Sequence, residues 1–145
     1  MRVAEAVFMW GIHMANLTFA EAGREQELAA QKILRLDPDC GFSEIRSDAL
    51  DEGERCYVIL YGKEVVGFYS FRWVSSQIFY FFVAPAWRKK GIGTQALGQL
   101  ILELRGQGVD HVIVNMTPGS EPFWYAAFRG FGSQNEWSSR HRFYI

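Results

Sequence analysis

One segment, residues 78–104, constrains the fold of this chain more than any other. Residues 78–83 are all apolar or aromatic, a composition that predicts a buried strand. Residues 88–94, here called the cationic turn, then combine three basic side chains with two glycines at the point where a helix is predicted to begin. Free backbone N–H groups, the positive end of the helix dipole and side-chain charge would meet there. The segment therefore predicts a site for a phosphate or pyrophosphate.

The helix after the cationic turn is predicted from apolar residues that recur every four positions, at Ile92, Ala96, Leu100 and Leu104. A buried strand is expected at residues 109–115. A strand, a helix and a strand in this order predict two parallel strands joined by a right-handed crossover. With 145 residues, the chain is expected to form a single domain, residues 1–145, that buries about two-thirds of its unfolded surface.

Further elements are predicted on both sides of this unit. A first strand is expected at residues 3–9, and a helix at residues 19–36 from the capping-box pattern of Thr18 and Glu21. Residues 39–55 read as an acidic loop. Strands at residues 56–61 and 64–73, joined by Gly62-Lys63, and a strand at residues 77–83 predict an antiparallel meander. A short aromatic helix (residues 121–128) and a hairpin (residues 131–145) complete the chain.

Charge is unevenly distributed along the sequence. Residues 1–56 contain 11 acidic and 6 basic side chains, whereas residues 57–145 contain 5 acidic and 9 basic ones. An anionic cofactor is thus expected on the later part, and a cationic substrate is favoured by the earlier part. The net charge of −1 argues against a general nucleic-acid binder. No run reaches the ~18 apolar residues of a membrane span.

The two cysteines, Cys40 and Cys56, have no metal-type or redox-type spacing and are too few for a disulfide scaffold. They predict reduced thiols in a cytoplasmic protein. The apolar residues 6–20 have some features of a secretion signal, including a small-residue cleavage site at residues 20–22, but Glu5, His13 and Asn16 interrupt that pattern.

Two common phosphate motifs fit the cationic turn poorly. The P-loop pattern, in which Gly-Lys-Ser/Thr follows an earlier glycine, is absent. Residues 91–96 do match a loose dinucleotide fingerprint, and Asp110 lies about 20 residues further on. That fingerprint begins directly at the end of its strand, however, whereas residues 85–90 intervene here, and Asp110 precedes the next strand instead of ending it. The dinucleotide interpretation is therefore disfavoured.

Residues 83–93, Val-Ala-Pro-Ala-Trp-Arg-Lys-Lys-Gly-Ile-Gly, resemble the acetyl-CoA-binding signature of the GNAT superfamily of N-acetyltransferases. In that family, Arg/Gln-x-x-Gly-x-Gly/Ala follows a strand that ends in Val-x-Pro. The order of elements from Cys56 onward is similar too. The resemblance implies an α/β GNAT fold, with a mixed, mostly antiparallel sheet, a central parallel strand pair and helices on both faces. It also implies that acetyl-CoA, with no metal, donates an acetyl group to a primary amine that attacks it directly in a ternary complex.

The resemblance also implies the residues of the site. The amide of Phe81 would face the thioester carbonyl as a catalytic group, and Tyr125 would protonate the departing thiolate, although it lies six residues before Phe131 where five is usual in the family. The implied cofactor-binding residues are Phe81, Val83, Arg88, Lys89, Lys90, Gly91, Ile92, Gly93, Thr94 and Asn115. The general base stays open between Glu121, His111, His13 and a chain of waters.

The acceptor is expected to be a small-molecule or peptide amine, with protein N-termini also open, and neither a nucleic acid nor a membrane is expected as a partner. The aromatic candidates for its pocket are Trp10, Phe19, Tyr69, Phe71 and Trp73. A homodimer is compatible with the 16% aromatic content. A non-catalytic acyl-CoA-binding or regulatory module is the alternative, because residues 77–83 contain no carboxylate and Tyr125 is shifted.

Overall fold

The structure is a computed structural model and describes residues 17–39 and 53–145. Its strands are β1 (Leu17–Glu21), β2 (Glu54–Tyr61), β3 (Glu64–Arg72), β4 (Gln77–Val83), β5 (His111–Asn115), β6 (Gly132–Trp137) and β7 (Arg140–Tyr144). Its helices are α1 (Arg24–Leu34), α2 (Ile92–Gly106) and α3 (Glu121–Ala127), with a 3₁₀ turn at Pro85–Trp87. None of these helices is long and apolar enough to cross a bilayer.

The strands form one mixed sheet in the order β1-β2-β3-β4-β5-β7-β6. Only β4 and β5 are parallel, and every other neighbouring pair in this sheet is antiparallel. The predicted meander, the parallel pair joined through α2 and the terminal hairpin are all confirmed. The parallel pair follows from the crossover, because a helix between two neighbouring strands returns the chain to the same end of the sheet.

Helices cover both faces of this sheet, as expected for the fold. On one face, Ala30 and Leu34 of α1 join a core with Val58 and Phe68. On the other, α2 and α3 join the larger core, which includes Ile59 of β2. Val58 and Ile59 are adjacent and both fully buried, because successive strand residues point to opposite faces and each face has its own helix.

Strand β4 contains a bulge where the sheet begins to open. Ser70 lies opposite Tyr80 and Phe71 opposite Ile78, so Phe79 is an extra residue in β4. The ladder to β5 ends at the pair Ile78 and Val114. A bulge bends its strand and increases its twist. Strands β4 and β5 therefore diverge after Ile78, and this divergence positions the site described below.

The helix predicted at residues 19–36 is wrong at both ends. Thr18 lies in β1, where pairing with β2 and burial of Leu17 outweigh its capping pattern. Helix α1 begins at Arg24, and the Gly23 N–H donates to Gln26 Oε1 at 3.1 Å instead. The helix ends at Leu34. The strand predicted at residues 3–9 and residues 40–52 of the predicted acidic loop lie outside the described residues.

Cys56 is buried on the α1 face of the sheet. Its thiol pKa is raised to about 12, first by burial and then by the carboxylates of Glu27 and Glu54. Since the thiolate is the nucleophile, we expect Cys56 to resist iodoacetamide at pH 8 in a Cys40→Ser background and to react once urea unfolds the chain. Mass spectrometry of the labelled protein measures this. Rapid labelling of the native protein would contradict the burial of this thiol.

Candidate active site

A cleft of about 740 Å³ opens where β4 and β5 diverge. Strand β4, the cationic turn, the end of β5 and the first turn of α3 form its walls. The residues that line it are Phe79, Phe81, Phe82, Val83, Arg88, Lys89, Gly91, Gly93, Thr94, Asn115, Thr117, Gly119, Ser120, Phe123 and Trp124. The structure thus brings together eight of the ten residues predicted to bind the cofactor.

The backbone of the cationic turn is shaped to hold an anion. Lys89 and Gly91 have positive φ angles of 62° and 80°, and Gly91 is the N-cap of α2. The Gln95 N–H donates to Gly91 O at 3.0 Å, which is the first bond of the helix. The three amides before Gln95, those of residues 92–94, therefore lack acceptors within the helix. Together with the dipole of α2 they form a positive site beside the cleft.

Gly93 lies where α2 meets α3 and β4. A Cβ built there would lie 3.1 Å from Phe123 Cε1 and 3.6 Å from Val83 Cγ2. A side chain would press on the aromatic wall of the cleft. Glycine here allows the start of α2 to approach both neighbouring elements closely.

The end of β4 directs unpaired backbone groups toward the cleft. The Ala84 N–H donates to Val66 O of β3 at 2.8 Å. Because backbone groups alternate along a strand, Phe82 also faces β3, whereas the N–H and C=O groups of Phe81 and Val83 face the opposite side. On that side, β4 has separated from β5. The cleft is thus bordered by the Phe81 N–H and C=O groups and the Val83 N–H, which are available to a ligand, whereas Val83 O accepts from Arg88 Nε.

Arg88 connects the cleft to the rest of the protein. Its Nε donates to Val83 O at 2.7 Å, and its Nη2 lies 2.7 Å from Asp37 Oδ2 in the segment after α1. Its guanidinium also lies 5.1 Å from the centre of the Phe82 ring. These contacts hold Arg88 in place, so Lys89 is the cation of the cleft lining with the freer side chain.

The other two predicted cofactor residues, Lys90 and Ile92, are not among the residues that line the cleft. Lys90 Nζ lies 5.3 Å from the centre of the Trp87 ring. The side chain of Ile92 is buried in the core. Their amides nevertheless belong to the cationic turn.

Tyr125 lies beside the cleft but is absent from its lining. Its hydroxyl lies 3.0 Å from His141 Nε2, and its ring contacts Phe143. Its neighbours Phe123 and Trp124 line the cleft. Each helical residue turns a side chain by about 100°, so Tyr125 faces β7 instead.

Two of the candidate bases, Glu121 and His111, lie in the described part of the chain. Glu121, in the first turn of α3, accepts the Gly119 N–H at 2.9 Å and adjoins the cleft. His111 Nδ1 lies 2.7 Å from Asp110 Oδ1 at the start of β5, and this hydrogen bond lowers the pKa of the Asp110 carboxyl. His13 lies outside the described residues. Of the two described candidates, Glu121 is therefore the one that lies next to the cleft.

Seven lining residues were not predicted to bind the cofactor: Phe79, Phe82, Thr117, Gly119, Ser120, Phe123 and Trp124. Three of them, Thr117, Gly119 and Ser120, lie in the loop after β5, in which the Ser120 hydroxyl donates to Thr117 O at 2.7 Å. One signal was present in the sequence, because ligands of open α/β sheets bind beyond the carboxyl ends of parallel strands.

The electrostatic character of the cleft is positive. Among the described residues, its lining includes Arg88 and Lys89 and no carboxylate. No group of three or more metal-ligating side chains occurs within residues 17–39 and 53–145. The arrangement favours an elongated anion that has amide groups along its length.

Known structures share this architecture. An acetyltransferase from Thermus thermophilus aligns with a TM-score of 0.67 at 17% identity, over 92% of this chain and 97% of that one. The ribosomal-protein-S18-alanine N-acetyltransferase from Escherichia coli aligns with a TM-score of 0.63 at 15% identity, over 88% and 90% of the two chains. A GNAT family acetyltransferase from Elizabethkingia anophelis, solved with acetyl-CoA bound, gives 0.60 at 16% identity, over 90% and 97%.

Comparison of the sequence with known proteins identifies a family but no individual relative among curated proteins. No curated protein matches this chain by sequence. The model of the acetyltransferase (GNAT) family matches residues 19–131. That range runs from β1 to the residue before β6 and contains the whole cleft lining. This match agrees with two features of the structure, namely the opening of the sheet between β4 and β5 and the turn at the start of α2. The chain therefore belongs to the acetyltransferase (GNAT) family.

Proposed function

We propose that this protein is an acetyl-CoA-dependent N-acetyltransferase that transfers an acetyl group to a primary amine by direct attack in a ternary complex. The observation that carries the proposal is the coincidence of two features at one cleft. Strand β4 presents unpaired backbone groups there, and the start of α2 presents free amides next to Lys89.

The described residues fit acetyl-CoA. The amides of residues 91–94 and the Lys89 ammonium would hold the pyrophosphate, and the absence of a side chain at Gly93 lets the start of α2 pack closely against α3 and β4. The Phe81 backbone groups and the Val83 N–H would bond the amides of the pantetheine arm, as a strand bonds an added strand. When bound, acetyl-CoA supplies an acetyl group that is activated as a thioester.

The Phe81 N–H is the proposed electrostatic group of the reaction. It faces the divergence of β4 and β5, where it can donate to a carbonyl oxygen on which negative charge develops. Loss of one such donor typically lowers turnover about 10²- to 10³-fold. The acceptor amine, with an ordinary pKa of about 10, must lose a proton before attack. Glu121, or water in the open cleft, is the proposed route for that proton.

Tyr125 is proposed as the acid that protonates the departing thiolate, with His141 hydrogen-bonded to its hydroxyl. We expect Tyr125→Phe to lower kcat about 100-fold and to leave the affinity for acetyl-CoA unchanged. Steady-state kinetics and calorimetry measure the two quantities separately. An unaltered kcat would assign Tyr125 to packing against Phe143 alone.

One alternative function has support from particular residues. A non-catalytic acyl-CoA-binding module would explain why the described lining holds no carboxylate and why the Tyr125 hydroxyl bonds His141. Release of CoA thiol separates the two functions. The intact chain is incubated with acetyl-CoA and a panel of amines: polyamines, aminoglycosides, lysine-containing peptides and a peptide with an N-terminal alanine.

Amine-dependent thiol release supports the transferase. Saturable acetyl-CoA binding without thiol release across the panel would support the binding module, and absence of acetyl-CoA binding would contradict both. The acidic residues 1–56 favour a cationic acceptor such as a polyamine or a basic peptide. We further propose a cytoplasmic setting, in keeping with cysteines that lack disulfide-type spacing.

A further inference from the structure

A second cavity of about 190 Å³ lies at the other end of α2 from the cationic turn, between that helix and strands β1 to β3. We call it the aromatic cavity. Its lining residues are Phe19, Glu21, Tyr57, Tyr69, Phe71, Trp73, Leu100, Glu103, Leu104 and Gln107. Within the described part of the chain, it shares none of these with the cleft.

Five aromatic side chains form one wall of the aromatic cavity. Tyr69 contacts two of the other rings: it is stacked on Tyr57 with ring centroids 5.1 Å apart and is in edge contact with Phe19 at 5.1 Å. Phe71 and Trp73 form an edge contact at 5.0 Å. The faces of such rings are electron-rich and attract cations.

The polar part of the lining is acidic. Glu21 and Glu103 are its charged side chains, and no basic side chain joins them among the described lining residues. Arg55 pairs with Glu21 at 2.9 Å, whereas Glu103 forms no ion pair with any residue in the described ranges. The C-terminal end of α2 adds the negative end of a helix dipole. The field in the cavity therefore favours a positive occupant.

The surroundings of the Tyr69 hydroxyl indicate that the cavity binds a ligand. Its side chain is 2% exposed, and no described residue provides a hydrogen-bond partner for its hydroxyl. Burial and the neighbouring Glu103 raise its pKa, so the hydroxyl is protonated at neutral pH. The hydroxyl oxygen is not among the fully buried, unpartnered polar atoms of the described residues, so it opens onto the cavity that Tyr69 lines. A ligand in the cavity can therefore donate an N–H to this oxygen.

We propose that the aromatic cavity binds a small alkylammonium ion. The ammonium lies against the aromatic rings, donates one N–H to the Tyr69 hydroxyl oxygen and is balanced by the Glu103 carboxylate. The volume suits such an ion, because an apolar cavity of about 150 Å³ already admits benzene. The carboxylates disfavour anions and give neutral molecules no advantage.

This site is distinct from the position of the reacting amine in the proposed function. Tyr69 is paired with Phe81 across β3 and β4, and their rings stack at 6.2 Å. Phe81 lines the cleft. A stacked pair of rings therefore separates the ammonium from the cleft, and the bound ion would contact the wall of the cleft without entering it.

The test is calorimetry of the intact chain with n-butylammonium chloride, at constant total chloride and without acetyl-CoA. We expect saturable binding to one site, and no saturable binding of the neutral analogue 1-butanol. Glu103→Gln should weaken binding at least about 10-fold and Tyr69→Phe about 5-fold. Glu25→Gln, which removes the same charge at the start of α1, should leave binding unchanged. Nuclear Overhauser contacts from the butyl chain to the Trp73 ring should locate the ion.

Four results would overturn the proposal. They are absence of saturable binding, equal binding of 1-butanol, equal affinity of Glu103→Gln and Glu25→Gln, and Overhauser contacts to the cleft instead of to Trp73. None of these results depends on acetyl transfer. The site and the proposed enzymatic function can therefore fail independently.

Discussion

We expect Gly91→Asp to abolish measurable acetyl-CoA binding, with at least about a 100-fold loss of affinity, while the chain keeps its fold. Gly91 is the N-cap of α2 and adjoins the free amides of the cationic turn. A carboxylate about 4 Å from a phosphate costs about 4 kcal/mol at an effective dielectric constant of about 20. Asp tolerates the positive φ of this position better than most side chains. Calorimetry measures the affinity, and circular dichroism checks the fold.

Gly62→Asp is the matched control. Gly62 has a φ of 64° in the turn between β2 and β3, and a Cβ there meets no atom within 4 Å. The same substitution therefore adds the same charge at a similar backbone conformation away from the cleft. We expect it to bind acetyl-CoA normally. Equal affinities of the two variants for acetyl-CoA would contradict a phosphate site at the cationic turn.

Among substitutions that add one methyl group to this sheet, we expect Gly67→Ala to destabilise the folded protein most. A Cβ at Gly67 would lie 2.3 Å from Phe82 O, a backbone atom of β4 that cannot move without breaking the β3 to β4 ladder. We expect a loss of about 3 kcal/mol in the free energy of unfolding, the upper end for overpacking. The thermal midpoint should fall by on the order of 10 °C. Urea denaturation followed by circular dichroism measures the loss.

Gly98→Ala adds the same methyl group, but we expect it to raise the free energy of unfolding instead of lowering it. Gly98 lies inside α2, and its Cβ would meet no atom within 4 Å. Alanine is favoured over glycine in a helix by about 0.5–1 kcal/mol, so this variant should be slightly more stable. If Gly67→Ala unfolds at the same urea concentration as Gly98→Ala, then β3 and β4 do not approach as closely as described.

The fold from β2 onward could be predicted because its local signals agree with one another. Residues 77–83 lie between a hairpin and the cationic turn, and the repeat in α2 buries the residues that the sequence indicates, such as Ala96 and Leu100. Helix α1 was mispredicted for a tertiary reason. The capping pattern of Thr18 is local, whereas the pairing of β1 with β2 joins residues about 40 positions apart in the chain.

The sequence could locate most residues of the cleft between β4 and α2 but not the directions of all their side chains. Arg88 reads as a phosphate ligand, and the structure shows it bonded to Val83 O and Asp37. Tyr125 reads as an acid, and the structure shows it bonded to His141. Both partners depend on how distant elements pack. The aromatic cavity likewise combines residues from three strands and a helix, which no spacing in the sequence relates.

The sequence by itself determined the family, the order of elements from β2 onward and the cationic turn. These depend on short-range patterns, namely the period of an apolar face, the glycines that allow positive φ and the cations at the start of a helix. Only the tertiary structure decided where β4 leaves β5, which backbone groups face the cleft, and that Tyr69 is buried against a second, acidic cavity. Those features arise from one bulge at Phe79 and from packing across the sheet. Such contacts have no local signature, because they form only when the elements are assembled.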